Sequence, residues 1–223
     1  RGSLYDALLD LYEPDESAAN LKQLFAPVRT ALTTLLQRIV DKAGPSGIPN
    51  PARGPFPTPL QKQFCEEAVR GIGFDMDCGR LDETVHPFCN GVGIRDVRLT
   101  TRFEDDDIAS ALMAALHEAG HGIYDQGLDP ANENTPLSEA LSLAIHESQS
   151  LLWEKRVGRS FEYWSHLYPK LQSTFPGALK DVKLDDYYRF INQVRPSLNR
   201  VESDEVTYGL QVSIRFVLEQ SLI

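Results

Sequence analysis

Residues 108–126 read IASALMAALHEAGHGIYDQ, and this stretch sets the expectation for the rest of the chain. Its apolar residues recur with a helical period. Asp105, Asp106 and Asp107 precede it as negative charge and cap, and Gly127 follows as a stop. Inside it, His117-Glu118-Ala119-Gly120-His121 has the form H-E-x-x-H. Helix positions four apart share a face, so His117 and His121 point the same way and can grip one metal ion. Glu118, one residue round, is placed to act as a general base beside that ion. Two His and a Glu on the apolar side of an Ala-rich helix are costly to bury without a purpose.

Two His from one helical turn cannot enclose an ion, so a third ligand must come from another element while one position stays open. In H-E-x-x-H peptidases of the His-His-Glu type, that ligand is a Glu on a following helix. Here His146-Glu147-Ser148-Gln149 lies on the next expected helix, with Glu147 26 residues beyond His121. Glu147 is therefore the expected third ligand, with Glu139 and Glu154 as alternatives on the same helix. His146 should point elsewhere and make a supporting bond behind the site. The ligand set suits Zn2+ and also accepts Co2+. Glu118-x-x-His121 is also the E-x-x-H of di-iron carboxylate bundles, which would make the protein an oxidoreductase. That reading needs a second copy, and the candidate, Glu83-Thr84-Val85-His86, sits just before Pro87 in a stretch with no helical period.

Working outward, Ala18 to Val40 carries a helical stripe of Leu21, Leu24, Phe25, Val28, Leu32, Leu35, Leu36 and Ile39, with Ser17 as N-cap and a kink or restart at Pro27. Gly44 to Pro57 reads as a loop. Thr58-Pro59-Leu60-Gln61 has a capping-box pattern that opens a helix to about Arg70. Residues 74 to 95 look irregular. Asp96 to Phe103 alternates apolar and polar residues and is the one good strand. Further helices are expected from Thr135-Pro136 to about Arg156, around Phe161 to Leu171, over Asp185 to Gln193, and from about Glu202 onward. The fold class is mainly α, a multi-helix H-E-x-x-H zincin-type core with a small β element. Residues 1–223 read as one segment with no separate second domain.

The chain has 223 residues, an apolar fraction of 42% and a net charge of −10 without any Lys/Arg-rich run. That balance disfavours nucleic acid and anionic membrane surfaces as partners. Three cysteines, Cys65, Cys78 and Cys89, with no C-x-x-C pattern read as reduced thiols of a cytoplasmic protein. The first residue is Arg1, and the last amphipathic run is still in progress at Ile223, so the chain reads as an internal segment truncated at both ends.

Several motifs resemble those of the M32 metallocarboxypeptidases, the carboxypeptidase Taq family. His117 to His121 is followed by His146-Glu147-Ser148-Gln149, Leu151-Leu152-Trp153-Glu154 and Val157-Gly158-Arg159-Ser160. His86-Pro87-Phe88 is similar to the family's H-P-F, and Asp96-Val97-Arg98-Leu99-Thr100 to its D-x-R-x-T. Asn199-Arg200-Val201-Glu202-Ser203-Asp204 is similar to its N-R-x-x-S-D. The opening stretch, Tyr5 to Leu9 with Tyr12-Glu13-Pro14, also resembles the family, whose members are roughly twice this long. Their G-x-x-Q-D-x-H-W signature is not in this chain. The resemblance implies a metal-dependent carboxypeptidase acting on peptides with a free C-terminus, and the possibility of a homodimer. A planar guanidinium suits the substrate's terminal carboxylate. Arg200 is the first candidate for that role and Arg98 the second. His86 would donate to substrate, Asp204 would orient a ligand His, and Tyr208 is a further donor. The opposing expectation is a catalytically incomplete piece that acts only by association.

Overall fold

The computed structural model describes residues 2–43, 47–196, 200 and 203–223. They divide into two compact units, residues 1–49 with 192–223 and residues 50–191.

The larger unit holds the core. It begins with α3 (Thr58–Gly71) and a three-stranded sheet of β1 (Gly79–Glu83), β2 (Cys89–Gly93) and β3 (Asp96–Thr101). The strand order is β1-β3-β2, with β3 parallel to β1 and antiparallel to β2. One face of β3 is buried: Val97 and Leu99 join a core with Phe64, Leu112, Leu116, Trp164, Leu171 and Tyr187. The helix α4 (Ile108–Gln126) lies across that face, and Thr101 Oγ1 donates to Ala111 O at 2.9 Å. Asp107 caps α4 through Ala109 N and Ser110 N, so the expected start, length and cap are all present.

After α4 the sequence pattern and the structure part. The helix expected from Thr135 to Arg156 is broken. Thr135 caps only a single 3-10 turn, Pro136–Ser138, and extended backbone at Glu139 ends it. The helix proper, α5 (Leu143–Leu151), starts where Ser142 Oγ accepts from Ile145 N. It runs straight into a π-helical turn, Leu152–Val157. Beyond it come α6 (Phe161–Thr174), α7 (Pro176–Leu179) and α8 (Leu184–Ile191).

Two expectations fail for local reasons. The stretch read as irregular contains β1 and β2, whose glycines hide any period and whose register comes from pairing with β3. The capping box at Thr58 does not form. Gln61 is buried, and its amide donates to Phe56 O at 2.6 Å and Glu104 O at 2.8 Å, while Pro57 starts the helix with no side-chain bond.

The smaller unit contains α1 (Leu4–Leu9), α2 (Ala18–Ala43) and α9 (Glu205–Leu222). α2 runs unbroken through Pro27 and packs against α9. No helix of the described residues is long and apolar enough to cross a membrane.

Candidate metal centre

The centre is built where α5 crosses α4. Gly120 makes that crossing possible: a Cβ there would stand 2.6 Å from Gln149 O and from Ser150 Cα. Such distances are far inside van der Waals contact with backbone, so only glycine lets the two helices come this close. The two unspecified residues of the H-E-x-x-H pattern therefore have packing roles here, Ala119 in the core and Gly120 at the crossing.

That approach brings Glu147 to the two histidines. Glu147 Oε2 lies 3.6 Å from His117 Nε2 and 3.3 Å from His121 Nε2. Ligand atoms of His117, His121 and Glu147 all fall within 4.8 Å of one another. Two imidazole nitrogens and one carboxylate, half-buried and convergent, are the donor chemistry of a three-ligand divalent-metal site with an open position. The residues present fit the ion that the pattern implies.

Each histidine is held differently. His117 Nδ1 meets Glu154 Oε2 at 2.9 Å, and Lys155 Nζ lies against the other oxygen of Glu154. Burial alone would raise the Glu154 carboxyl. The hydrogen bond from His117 and the Lys155 charge outweigh it and hold the group below its ordinary value. With Glu154 as the acceptor, the proton of this bond sits on His117 Nδ1, while the other ring nitrogen, Nε2, is the one turned toward Glu147. His121 has no such carboxylate: its Nδ1 is buried without a hydrogen-bond partner among the described residues. Its support is the His146 ring, 4.4 Å away between centroids and tilted by 34°. His146 Nε2 is in turn bonded to Asp125 Oδ1 at 2.9 Å.

Glu118 is buried on the same helix with only 8% of its surface exposed. Burial, partly opposed by the neighbouring histidines, raises its carboxyl above the ordinary value. A carboxyl poised in that direction suits proton transfer near neutral pH.

The other expected residues have partners or positions of their own. Arg98 points away from the face of the sheet that packs on α4. It is exposed and pairs with Asp96 at 2.7 and 2.9 Å, because alternation along β3 sends it opposite to Val97 and Leu99. Asp204, expected on a ligand histidine, is the N-cap of α9. It accepts from Val206 N, Thr207 N and Thr207 Oγ1, each at 2.9 Å, and from Arg195 N at 3.1 Å. The carboxylate found on a ligand histidine is Glu154, named from sequence only as an alternative ligand. Its signal was its spacing, seven residues and two helical turns after Glu147, hence the same face. Arg200 donates to Tyr208 Oη at 3.1 Å, and Asn199, Val201 and Glu202 lie outside the described residues. His86 is exposed on the connection between β1 and β2. The second E-x-x-H copy is not helical, since Glu83 ends β1, and this removes the geometric basis of a di-iron bundle.

The family model for Carboxypeptidase Taq (M32) metallopeptidases matches residues 1–223. Thermostable carboxypeptidase 1 of Thermus thermophilus is 43% identical over 99% of this chain, and carboxypeptidase 1 of Bacillus subtilis is 42% identical over 98%. The crystal structure of an M32 carboxypeptidase from Deinococcus radiodurans superposes with a TM-score of 0.90 at 40% identity, over 96% of this chain and 43% of that one. The chain spans 43% of the length of each of the two curated relatives, so less than half.

Proposed function

Because the chain belongs to the M32 family of metallopeptidases, we propose that it carries the catalytic core of a metal-dependent carboxypeptidase. The substrate class is peptides with a free C-terminus. The observation that carries this reading is the convergence of His117, His121 and Glu147 within 4.8 Å, with Glu118 buried beside them. Zn2+ is the ion these ligands suit, and Co2+ satisfies the same donors.

When bound, a divalent cation would supply Lewis acidity and lower the pKa of water to about 7. The protein does the rest. His117 and His121 present Nε2, and Glu147 presents a carboxylate oxygen, from two helices locked together at Gly120. Glu118 receives the proton as water attacks the scissile carbonyl, then returns it to the leaving amine. His86 is the proposed donor to substrate. Arg200 is the proposed partner of the substrate's terminal carboxylate, since its planar fork can bind both oxygens. Arg98 is not part of this reading, being exposed and paired to Asp96 on the sheet's other face.

Three free cysteines, two of them buried, support a reducing, cytoplasmic setting.

The test is peptide hydrolysis by the full-length protein, using a peptide blocked at its N-terminus. Stepwise release of C-terminal amino acids is expected. It should be abolished by a chelator and restored by Zn2+. Internal cleavage without C-terminal trimming would overturn the exopeptidase assignment.

A further inference from the structure

The π-helical turn Leu152–Val157 buries two charged side chains in succession, Glu154 and Lys155. Charged residues are almost never this buried unless they are paired, and the pairing here leads directly to the metal centre. Glu154 Oε1 meets Lys155 Nζ, and Glu154 Oε2 meets His117 Nδ1 at 2.9 Å. Glu147 and Glu154 thus take opposite nitrogens of one imidazole. Glu147 faces Nε2 at 3.6 Å, and Glu154 holds Nδ1 from two turns further along the same helical run.

We propose that Glu154 is a positioning residue that fixes the His117 ring and tautomer for metal binding, with the buried Lys155 as its counter-charge. This rests on the metal-centre reading above and adds a role to residues outside the H-E-x-x-H pattern and the third ligand. The geometry supports it in three ways. The bond length is that of a charge-assisted hydrogen bond. An acceptor on Nδ1 places the proton there and leaves Nε2 as the donor atom toward the ion. Lys155 balances a carboxylate that burial would otherwise penalise, so the pair can remain inside without a solvent shell. π-helical turns recur at functional sites because they re-aim side chains within a helix, and this one carries both members of the pair. His121 lacks an equivalent, its Nδ1 having no partner among the described residues. The control of tautomer at this centre is therefore concentrated on His117.

The test measures metal binding, not only turnover. In the full-length protein, Zn2+ affinity is determined by competition with a chromogenic chelator, and Co2+ substitution reports ligand geometry through its visible absorption. Glu154→Gln keeps an acceptor oxygen and should weaken Zn2+ binding about 10-fold, while Glu154→Ala should weaken it about 100-fold. The Co2+ band should change shape in both. Because Glu154→Gln removes the carboxylate charge beside Lys155, a second variant combining Glu154→Gln with Lys155→Met removes both charges of the pair and should show the same loss of affinity. A folded variant that binds Zn2+ within about twofold of the wild type would overturn the role assigned here. Nitrogen-15 NMR of the metal-loaded wild type needs no variant. It should find the His117 proton on Nδ1, and a proton-free Nδ1 would equally overturn it. Failure of the wild type itself to bind Zn2+ would defeat the metal-centre reading instead, which keeps the two outcomes apart.

Discussion

In α4 ten of nineteen residues are buried, whereas in α2 none of twenty-six is. Both helices are amphipathic, and α2 has the longer run of large apolar residues. The difference lies in what can approach them. α4 is lined with Ala and Gly, so α3, β3, α5 and the π-helical turn all pack against it. The stripe on α2 is built of bulky side chains and packs on α9, leaving Leu24, Val28 and Leu35 between 40% and 53% exposed. An apolar stripe creates the opportunity for burial, but small residues decide how many neighbours can use it. Close approach from several sides is also what a metal centre requires, because its ligands must come from more than one element.

The contrast can be broken most strongly at the polar residues. Glu118→Gln in α4 should lower kcat/KM by about 10²- to 10⁴-fold while leaving metal content intact, as read by metal analysis and C-terminal amino-acid release. The matching charge removal on α2, Lys22→Gln, should leave both unchanged. Next come the leucines. Leu116 is fully buried, and Leu116→Ala should destabilise by about 2–5 kcal/mol in denaturant unfolding. Leu24 is 53% exposed, and Leu24→Ala should cost well under about 1 kcal/mol by the same measurement.

Smaller effects sharpen the same comparison at the two helix crossings. Gly120→Ala forces a methyl into the backbone of α5 and should cost about 1–3 kcal/mol of stability. It should also weaken Zn2+ binding, because Glu147 moves with α5. At Gly209 in α9 the nearest atom to an added methyl is Leu32 Cδ1, the end of a side chain that can turn away. Gly209→Ala should therefore stay within about 1 kcal/mol of wild type, on the stabilising side through helix propensity. An equal loss at both glycines would show that the α4–α5 crossing has no special constraint.

Several features are legible in the sequence alone. α4 was bounded to the residue because its cap, period and stop are all local signals. β3 was legible from strict alternation. β1 and β2 were not, since their glycines and charges acquire strand geometry only by pairing with β3. The break in the helix expected after Thr135 was also hidden. Pro136 signals a helix start, but only Ser142 supplies the cap that begins α5. Asp204 looked like a partner for a histidine because an acidic residue in a shared motif invites that role. Its oxygens instead cap α9, a use equally open to an Asp before a helical run.

By itself the sequence determined which residues could share a helix face. His117, His121 and Glu118 follow from one 3.6-residue period, and that period is intrinsic to the backbone. Tertiary structure decided which side chains from other elements complete the centre. Glu147 reaches the histidines because α5 can touch α4 at Gly120. Glu154 reaches His117 Nδ1 because the π-helical turn carries it inward with Lys155. Local periodicity fixes directions along one helix. Distances between helices depend on the volumes of the residues at their crossing, and those act only once the chain has folded.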